Sequence, residues 1–182
     1  RAQASGSTAS CGRPVEEGGT MGVAERFYEA FMVRDHYTMG LLYADNATFS
    51  DPVFPLLNAR GVRTMWRMLL TRAEDLAIEV KIAEDGPSRA QVDWVAHYTF
   101  AATGRPVVNR VHTEMSISVG RIVRQVDSFS LWRWSSQALG ARGLLLGWTP
   151  AVRTRIRKQA ARSLKDFARA ESAATASLQE TR

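Results

Sequence analysis

The spacing of apolar residues changes near residue 75, and this change limits the folds that are open to the chain. Before it, apolar side chains recur every three or four residues, as Val23, Phe27 and Phe31 do. After it, apolar and polar residues alternate, as they do along residues 77–82. The first spacing is typical of an amphipathic helix, and the second is typical of a strand with one buried face. Helices first and strands afterwards predict an α+β fold.

Three helices and one short strand are predicted before the change. The helices are indicated by apolar side chains within 21–34, within 39–43 and at Val62, Trp66 and Leu69. The strand, residues 47–50, ends at Asp51 because Pro52 has no N–H to donate to a neighbouring strand. The residue before a proline is also restricted to an extended conformation, which places Asp51 at a defined strand end.

The second part of the chain predicts long strands joined by tight turns, which is the pattern of an antiparallel meander. Turn residues occur at 85–87, at Thr103-Gly104 and at Gly120, and the last strand is predicted over residues 122–132. His97 and His112 fall on the face that is predicted to be outside. Two rows of side chains are predicted to face the interior, namely Trp94, Ala96, Tyr98 and Phe100 on one strand and Val111, Thr113, Met115 and Ile117 on the next.

Residues 1–20 are rich in Gly, Ser and Ala and lack the apolar centre of a signal peptide, so we expect a disordered tail. Cys11, the single cysteine of the chain, lies in this tail. One cysteine cannot form an internal disulfide framework. This favours a cytoplasmic location over a secreted one.

The net charge of +6 lies outside the predicted core. Residues 21–132 contain 12 basic and 13 acidic side chains, whereas residues 133–182 contain 10 basic and 3 acidic ones. We predict no nucleic-acid partner, since such proteins usually carry the basic residues on the folded face that reads the nucleic acid. Residues 136–182 are expected to be a basic amphipathic helical extension with a frayed end. Three interpretations of this extension stay open: packing on the core or a second subunit, lying on an anionic membrane, or contacting nucleic acid.

Two stretches of the chain resemble a known family. They are residues 42–52 followed by Gly61, and the run from Thr103-Gly104-Arg105 through 120–122 to 127–129. They are similar to the nuclear-transport-factor-2-like superfamily, in its SnoaL-like, ketosteroid-isomerase-like and limonene-epoxide-hydrolase-like branches. The resemblance covers about residues 22–135, and we place the domain at 21–135. It implies a strongly curved antiparallel sheet that three N-terminal helices wrap into a cone around an apolar pocket, often as a homodimer.

The resemblance also implies which carboxylates act in the pocket. Asp51 matches the general base of the ketosteroid isomerases, which also use a tyrosine and a protonated aspartate as oxyanion donors. Here Phe27 stands at the tyrosine position, Tyr28 is one residue out of register, and Thr113 falls nearest the aspartate. The donors of that enzyme are therefore replaced.

Asp127 matches the aspartate that SnoaL-like polyketide cyclases use as acid and base in an intramolecular aldol closure. Gln125, two residues earlier on the same predicted face, could hydrogen-bond the carbonyl of such a substrate. The epoxide hydrolases use an Asp–Arg–Asp set, and its Arg and second Asp appear here as Trp94 and Ala96. The cyclase resemblance is therefore the more complete one.

The candidate catalytic residues are Asp127 and Asp51, and neither a metal nor a cofactor is predicted. No two histidines share a metal-ligand spacing with a carboxylate, and no glycine-rich phosphate loop is present. Structural roles stay open for both acids: Asp127 bonded to a neighbouring strand or to Arg63, and Asp51 as a turn residue before proline. The candidate substrate-binding residues are Gln125, Tyr98, Trp66, Trp94, Phe27, Tyr28, Thr113, Met115 and Phe129.

Two functions follow from this reading. The first is an acid/base lyase or isomerase that acts on a polyketide-like or terpenoid-like ketone. The alternative is a non-catalytic ligand-binding or dimerisation module. In both, the partner is a small apolar molecule held in the cone.

Overall fold

The computed structural model describes residues 21–147 and 149–180 and has helices before and after a six-stranded sheet. Its elements are α1 (Val23–Met32), α2 (His36–Leu41), β1 (Tyr43–Ser50), β2 (Leu57–Asn58), α3 (Ala59–Arg72), β3 (Ala77–Asp85), β4 (Arg89–Phe100), β5 (Arg105–Ser118), β6 (Arg121–Ser128), α4 (Leu131–Leu139), α5 (Ala141–Leu146) and α6 (Pro150–Glu180). The predicted α+β fold with three helices before the meander is confirmed. The expected tail at 1–20, with Cys11, lies outside the described residues.

The sheet is curved and unclosed, with the strand order β2-β1-β6-β5-β4-β3. Strands β3 to β6 form the predicted antiparallel meander. The pairing of β1 with β6 is parallel, which the sequence did not predict. It arises because α3 and the meander lie between these two strands in the chain, so β6 returns beside β1 in the same direction.

A β-bulge in β6 decides which of its residues face the interior. Between two paired positions, β6 has one residue more than β5, and Val123 is the extra residue. Ile122 is buried before the bulge, and Gln125 and Asp127 are buried after it. Strict alternation from Ile122 would instead turn Asp127 to the outer face.

Helices α1 and α3 cover the concave face of the sheet, and aromatic side chains fill the space between. Neighbouring ring centroids lie between 5.1 and 6.2 Å apart, mostly in edge-to-face arrangements, which aromatic pairs favour. The rings at the centre are those of Phe27, Tyr28, Phe31, Tyr43, Phe49, Trp66 and Trp94.

Three sequence predictions about local structure are wrong. Tyr43 was placed in the second helix, but it is the first residue of β1. Leu69 was placed on the buried face of α3, but it is 41% exposed, while Leu70 is buried. The last strand was predicted to reach Trp132, but pairing ends at Ser128. The chain then starts α4, because the Ser130 side chain accepts a hydrogen bond from the Arg133 N–H and caps the helix.

The C-terminal extension packs along α3. Leu164 is buried there, and Phe167 and Ala160 pack against the core. Arg72 of α3 donates to the Ser163 hydroxyl at 2.6 Å and lies 5.6 Å from the centre of the Phe167 ring. Helix α6 therefore packs on the core, which is the first of the three interpretations of the C-terminal extension. In the described segments, no helix has the length and apolar character that a membrane span requires.

Candidate functional site

Asp127 lies on β6 and faces the interior, where it is 5% exposed. Its Oδ1 accepts a hydrogen bond from the Thr113 hydroxyl at 2.8 Å and another from Gln125 Nε2 at 2.9 Å. Thr113 stands directly opposite it on β5. Arg63 does not contact Asp127 and instead bonds to backbone carbonyls and Asp45, so the Arg63 alternative is wrong.

A chain of hydrogen bonds reaches Asp127 through Thr113. The Thr113 oxygen accepts from the Tyr28 hydroxyl at 3.0 Å and from Trp94 Nε1 at 2.9 Å. A hydroxyl has two acceptor lone pairs and one proton, and an indole N–H can only donate. Since both lone pairs of Thr113 are occupied, its proton points to Asp127.

A second chain reaches the same oxygen through Gln125. Trp66 Nε1 donates to the Tyr43 hydroxyl at 2.9 Å, which donates to Gln125 Oε1 at 2.6 Å. The Gln125 amide group then faces Asp127. Both chains start at an indole donor, so both present a donor to Oδ1.

This arrangement distinguishes the two oxygens of Asp127. Oδ1 is an acceptor in both chains, whereas no residue in the described segments donates a hydrogen bond to Oδ2. A proton on the neutral acid therefore resides on Oδ2. Burial raises the pKa of Tyr28 and of Tyr43 well above the ordinary value, so both phenols keep the protons that the chains require.

The pKa of Asp127 lies close to neutral. Burial is the largest cause and raises the pKa to about 7, against an ordinary value of 3.8. The hydrogen bonds from Gln125 and Thr113 stabilise the carboxylate and act in the opposite direction. The negative charge of Asp51 raises the pKa of Asp127 further.

Asp51 follows the end of β1 and is level with Asp127. Phe49 pairs with Gln125 and Ser50 with Val126, so the next residues of the two strands are Asp51 and Asp127. The Asp51 side chain accepts hydrogen bonds from the backbone N–H groups of Val53, at 2.6 Å, and Phe54.

Asp51 thus has the turn role that its position before a proline indicated, and it also lies beside the second acid. Burial raises the pKa of Asp51 to about 6, although the two N–H groups and the Arg157 guanidinium lower it.

Arg157 and Tyr43 belong to the site and were not among the predicted residues. Arg157 comes from α6, and its Nε donates to the Pro52 carbonyl at 3.0 Å, beside Asp51. A sequence signal for it exists, since Arg157 stands three residues before Ala160 and seven before Leu164, on the packed side of the helix. Tyr43 gave no such signal, because its apolar cluster predicted a helix.

The predicted pocket residues come together around Asp127, with two at the edge. Tyr98 and Phe129 are partly buried, and the Tyr98 hydroxyl accepts from Trp134 Nε1 of α4 at 2.7 Å. Gln125 binds Tyr43 and Asp127, so a hydrogen bond from it to a substrate stays a prediction. The residues buried in the interior are Phe27, Tyr28, Trp66, Trp94, Thr113, Met115 and Gln125.

Asp127 lies among buried side chains and is itself only 5% exposed. Two hollows on the described surface lie elsewhere, one against α1 and the other on the outer face of β4 and β5. Across residues 21–147 and 149–180, no three His, Cys, Asp or Glu side chains come together to hold a metal ion.

Several solved structures are similar to this protein in fold. An LEH-like epoxide hydrolase from M. tuberculosis is similar, with 21% identity, a TM-score of 0.51, and coverage of 70% of this chain and 93% of that chain. A protein of ketosteroid isomerase-like fold from Catenulispora acidiphila, crystallised with trimethylamine, is 16% identical to this chain. Its TM-score is 0.57, and the match covers 70% of this chain and 97% of that chain.

IdmH from Streptomyces antibioticus, a candidate polyketide cyclase, is 22% identical to this chain with a TM-score of 0.54. The match covers 65% of this chain and 96% of that chain. At these identities the likeness concerns the fold. No curated protein matches the sequence. The profile of the SnoaL-like domain matches residues 24–125, which is more than half of the chain. The chain therefore belongs to the SnoaL-like domain family.

Proposed function

We propose that this protein binds a small apolar ketone inside the cone and transfers a proton at carbon, with Asp127 as the acid and base. The observation that carries the proposal is the asymmetric binding of the Asp127 carboxyl. Two hydrogen-bond chains hold Oδ1, and Oδ2 is left to exchange a proton. A buried acid without a functional role would be a costly choice at this position.

The chemistry needs one group that both removes and returns a proton. In an intramolecular aldol closure, Asp127 takes a proton from the carbon beside one carbonyl, and that carbon then bonds to a second carbonyl carbon. The resulting alkoxide oxygen takes the proton back, so the enzyme is regenerated. A pKa of about 7 populates both protonation states near neutral pH, as this role requires.

Asp51 assists by its charge in this proposal. Its pKa of about 6 keeps it mostly ionised at neutral pH, and its negative charge strengthens the proton affinity of Asp127. The similar structures named as an epoxide hydrolase and a candidate polyketide cyclase support an acid/base class of reaction. They do not support a particular substrate, so we propose only a polyketide-like or terpenoid-like ketone.

The test is hydrogen–deuterium exchange at carbon, because it detects proton removal whatever the final product. Cyclic enones and aryl ketones are incubated with the protein in D₂O, and deuterium at the α-carbon is followed by mass spectrometry. Asp127→Asn should slow exchange by about 100-fold or more, the usual contribution of a general base. Asp166→Asn, at an exposed acid of α6, is the matched control and should leave the rate unchanged.

A rate that is equal in wild type and Asp127→Asn would remove the catalytic role. The substitution is suited to this comparison because the Asn carbonyl can still accept from Thr113 and Gln125. Loss of exchange then reports the lost proton-transfer group, provided that circular dichroism shows an unchanged fold.

A non-catalytic ligand-binding or dimerisation module is the second candidate, and the dense aromatic packing of the interior favours its dimerisation form. The aromatic rings contact one another and Asp127 is only 5% exposed. Native mass spectrometry of the purified protein distinguishes the two. A retained small molecule together with no exchange on any ketone supports the binding module, whereas exchange that depends on Asp127 supports the enzyme.

We also propose a homodimer, as the family resemblance implies. The outer face of β4 and β5 offers a partly apolar surface, on which Val108 is 39% exposed. The same face carries a polar contact of 2.7 Å between His112 and Asp93. Light scattering should give twice the chain mass of 20.2 kDa. A mass of one chain would contradict the proposal.

A further inference from the structure

Helix α6 carries a row of basic side chains along one line, which we call the basic stripe. Successive members are three, four, three and four residues apart, so they lie within an arc of about 80° and extend over about 21 Å of helix. All five are exposed. The members of the basic stripe are Arg155, Lys158, Arg162, Lys165 and Arg169.

The basic stripe points away from the body of the protein. Leu164 and Phe167 lie on the opposite side of α6 and pack on the core. Arg169 lies 3.9 Å from Asp166, but both side chains are more than 70% exposed, and such a pair contributes little. The other four members form no ion pair with any side chain in the described segments.

This packing changes what α6 can bind. An amphipathic helix that inserts into a bilayer uses its apolar face, and here that face is already buried against α3. The remaining surface is a straight row of five cations with one exposed acidic neighbour, Asp166. Helix α5, which precedes α6, adds exposed apolar side chains, with Leu144 52% and Leu145 68% exposed. Stable membrane attachment usually combines a basic patch with an apolar contact.

We propose that the basic stripe binds the surface of an anionic lipid bilayer, with Leu144 and Leu145 providing an apolar contact. A plane of headgroups can meet a straight row of cations along its whole length. A DNA duplex fits less well, since it curves away from a helix that is packed on its domain. The proposal does not depend on the catalytic role of Asp127.

The experiment is co-sedimentation of the full chain with vesicles of phosphatidylcholine alone or with added phosphatidylserine. Wild type should sediment only with the anionic vesicles, and less at about 1 M salt, where screening shortens charge interactions to about 3 Å. Each neutralised cation should weaken binding roughly fivefold. The stripe variant therefore should not sediment, and its substitutions are Arg155→Gln, Lys158→Gln, Arg162→Gln, Lys165→Gln and Arg169→Gln.

A control variant separates the stripe from net charge. It removes five exposed cations of the cone, so its charge change equals that of the stripe variant, and it should keep binding. Its substitutions are Arg26→Gln, Arg60→Gln, Lys81→Gln, Arg121→Gln and Arg124→Gln. Glutamine is a good helix former, so α6 should persist in the stripe variant. If the stripe variant does not fold, the double variant Lys158→Gln, Arg162→Gln replaces it. This variant should weaken binding to anionic vesicles by roughly 25-fold.

Three results would overturn the proposal. Wild type could fail to bind anionic vesicles. The stripe and control variants could lose binding equally, which would assign the effect to net charge. A DNA duplex could displace the vesicles at equal phosphate concentration, which would assign the stripe to nucleic acid.

The double variant Leu144→Gln, Leu145→Gln tests the apolar contact. It should lower the vesicle binding that remains at high salt.

Discussion

The pH dependence of stability tests whether Asp127 titrates inside the folded protein. Its pKa is raised from 3.8 to about 7, so the folded state holds a proton that the unfolded state has released. An acid with a raised pKa stabilises the fold at low pH, and this contribution is lost as the pH rises through the folded pKa. The wild-type protein should therefore lose unfolding free energy between acid and neutral pH.

The size of the effect follows from the two pKa values. The full shift from 3.8 to about 7 corresponds to roughly 4 kcal/mol between the protonation states. Between about pH 5 and about pH 8, roughly 3 kcal/mol of it should be lost. Asp51, with a pKa of about 6, contributes a smaller loss of the same sign. Asp127→Asn cannot titrate, so it should lack the larger part of the slope.

Urea unfolding of both proteins at several pH values measures this difference directly. The decisive quantity is the change in unfolding free energy with pH, because Asp127→Asn also changes the absolute stability. Subtracting the two curves cancels the other titrating groups that the proteins share. Parallel curves would show that Asp127 has an ordinary pKa or is solvated, and the argument for its catalytic role would then fail.

Three further predictions concern the surroundings of the acids. Thr113→Val leaves two buried donors without an acceptor, so unfolding free energy should fall by about 2–4 kcal/mol in urea, whereas Thr48→Val on β1 should change it by under about 0.5 kcal/mol. Tyr43→Phe should destabilise more than Tyr28→Phe, because the Tyr43 hydroxyl bonds two side chains; equal losses would contradict the network. Arg157→Gln should raise the pKa of Asp51, measured by carboxyl ¹³C NMR, while exposed Arg155→Gln should not.

The fold could be predicted because local patterns determine most of it. The helical spacing of Val23, Phe27 and Phe31 and the alternation along β3 to β5 both reflect which face of an element is buried. Those patterns failed at Leu69, where Leu70 is the buried residue, and at Trp132. In the second case the serine cap at Ser130 ended the strand, and apolar content alone does not reveal such a cap.

The two candidate acids could be chosen from the sequence, but their relation could not. Their proximity depends on the parallel pairing of β1 with β6, which joins strands about seventy residues apart in the chain. No local pattern encodes such a pairing, because the two strands are far apart in the sequence. The same holds for Arg157, which reaches Asp51 from a helix outside the matched domain.

The bulge at Val123 shows how small the difference is between a buried acid and a surface one. One extra residue in β6 moves both Gln125 and Asp127 from the outer to the inner face, where Asp127 meets the Thr113 hydroxyl. A bulge disrupts the ladder and leaves a residue unpaired. Register shifts also occur between β1 and β6 and between β3 and β4, so the bulge at Val123 is one of several in the sheet. An apolar residue at 127 would leave the Thr113 hydroxyl and the Gln125 amide without their acceptor, so the two donor chains are matched to a carboxyl group at this position.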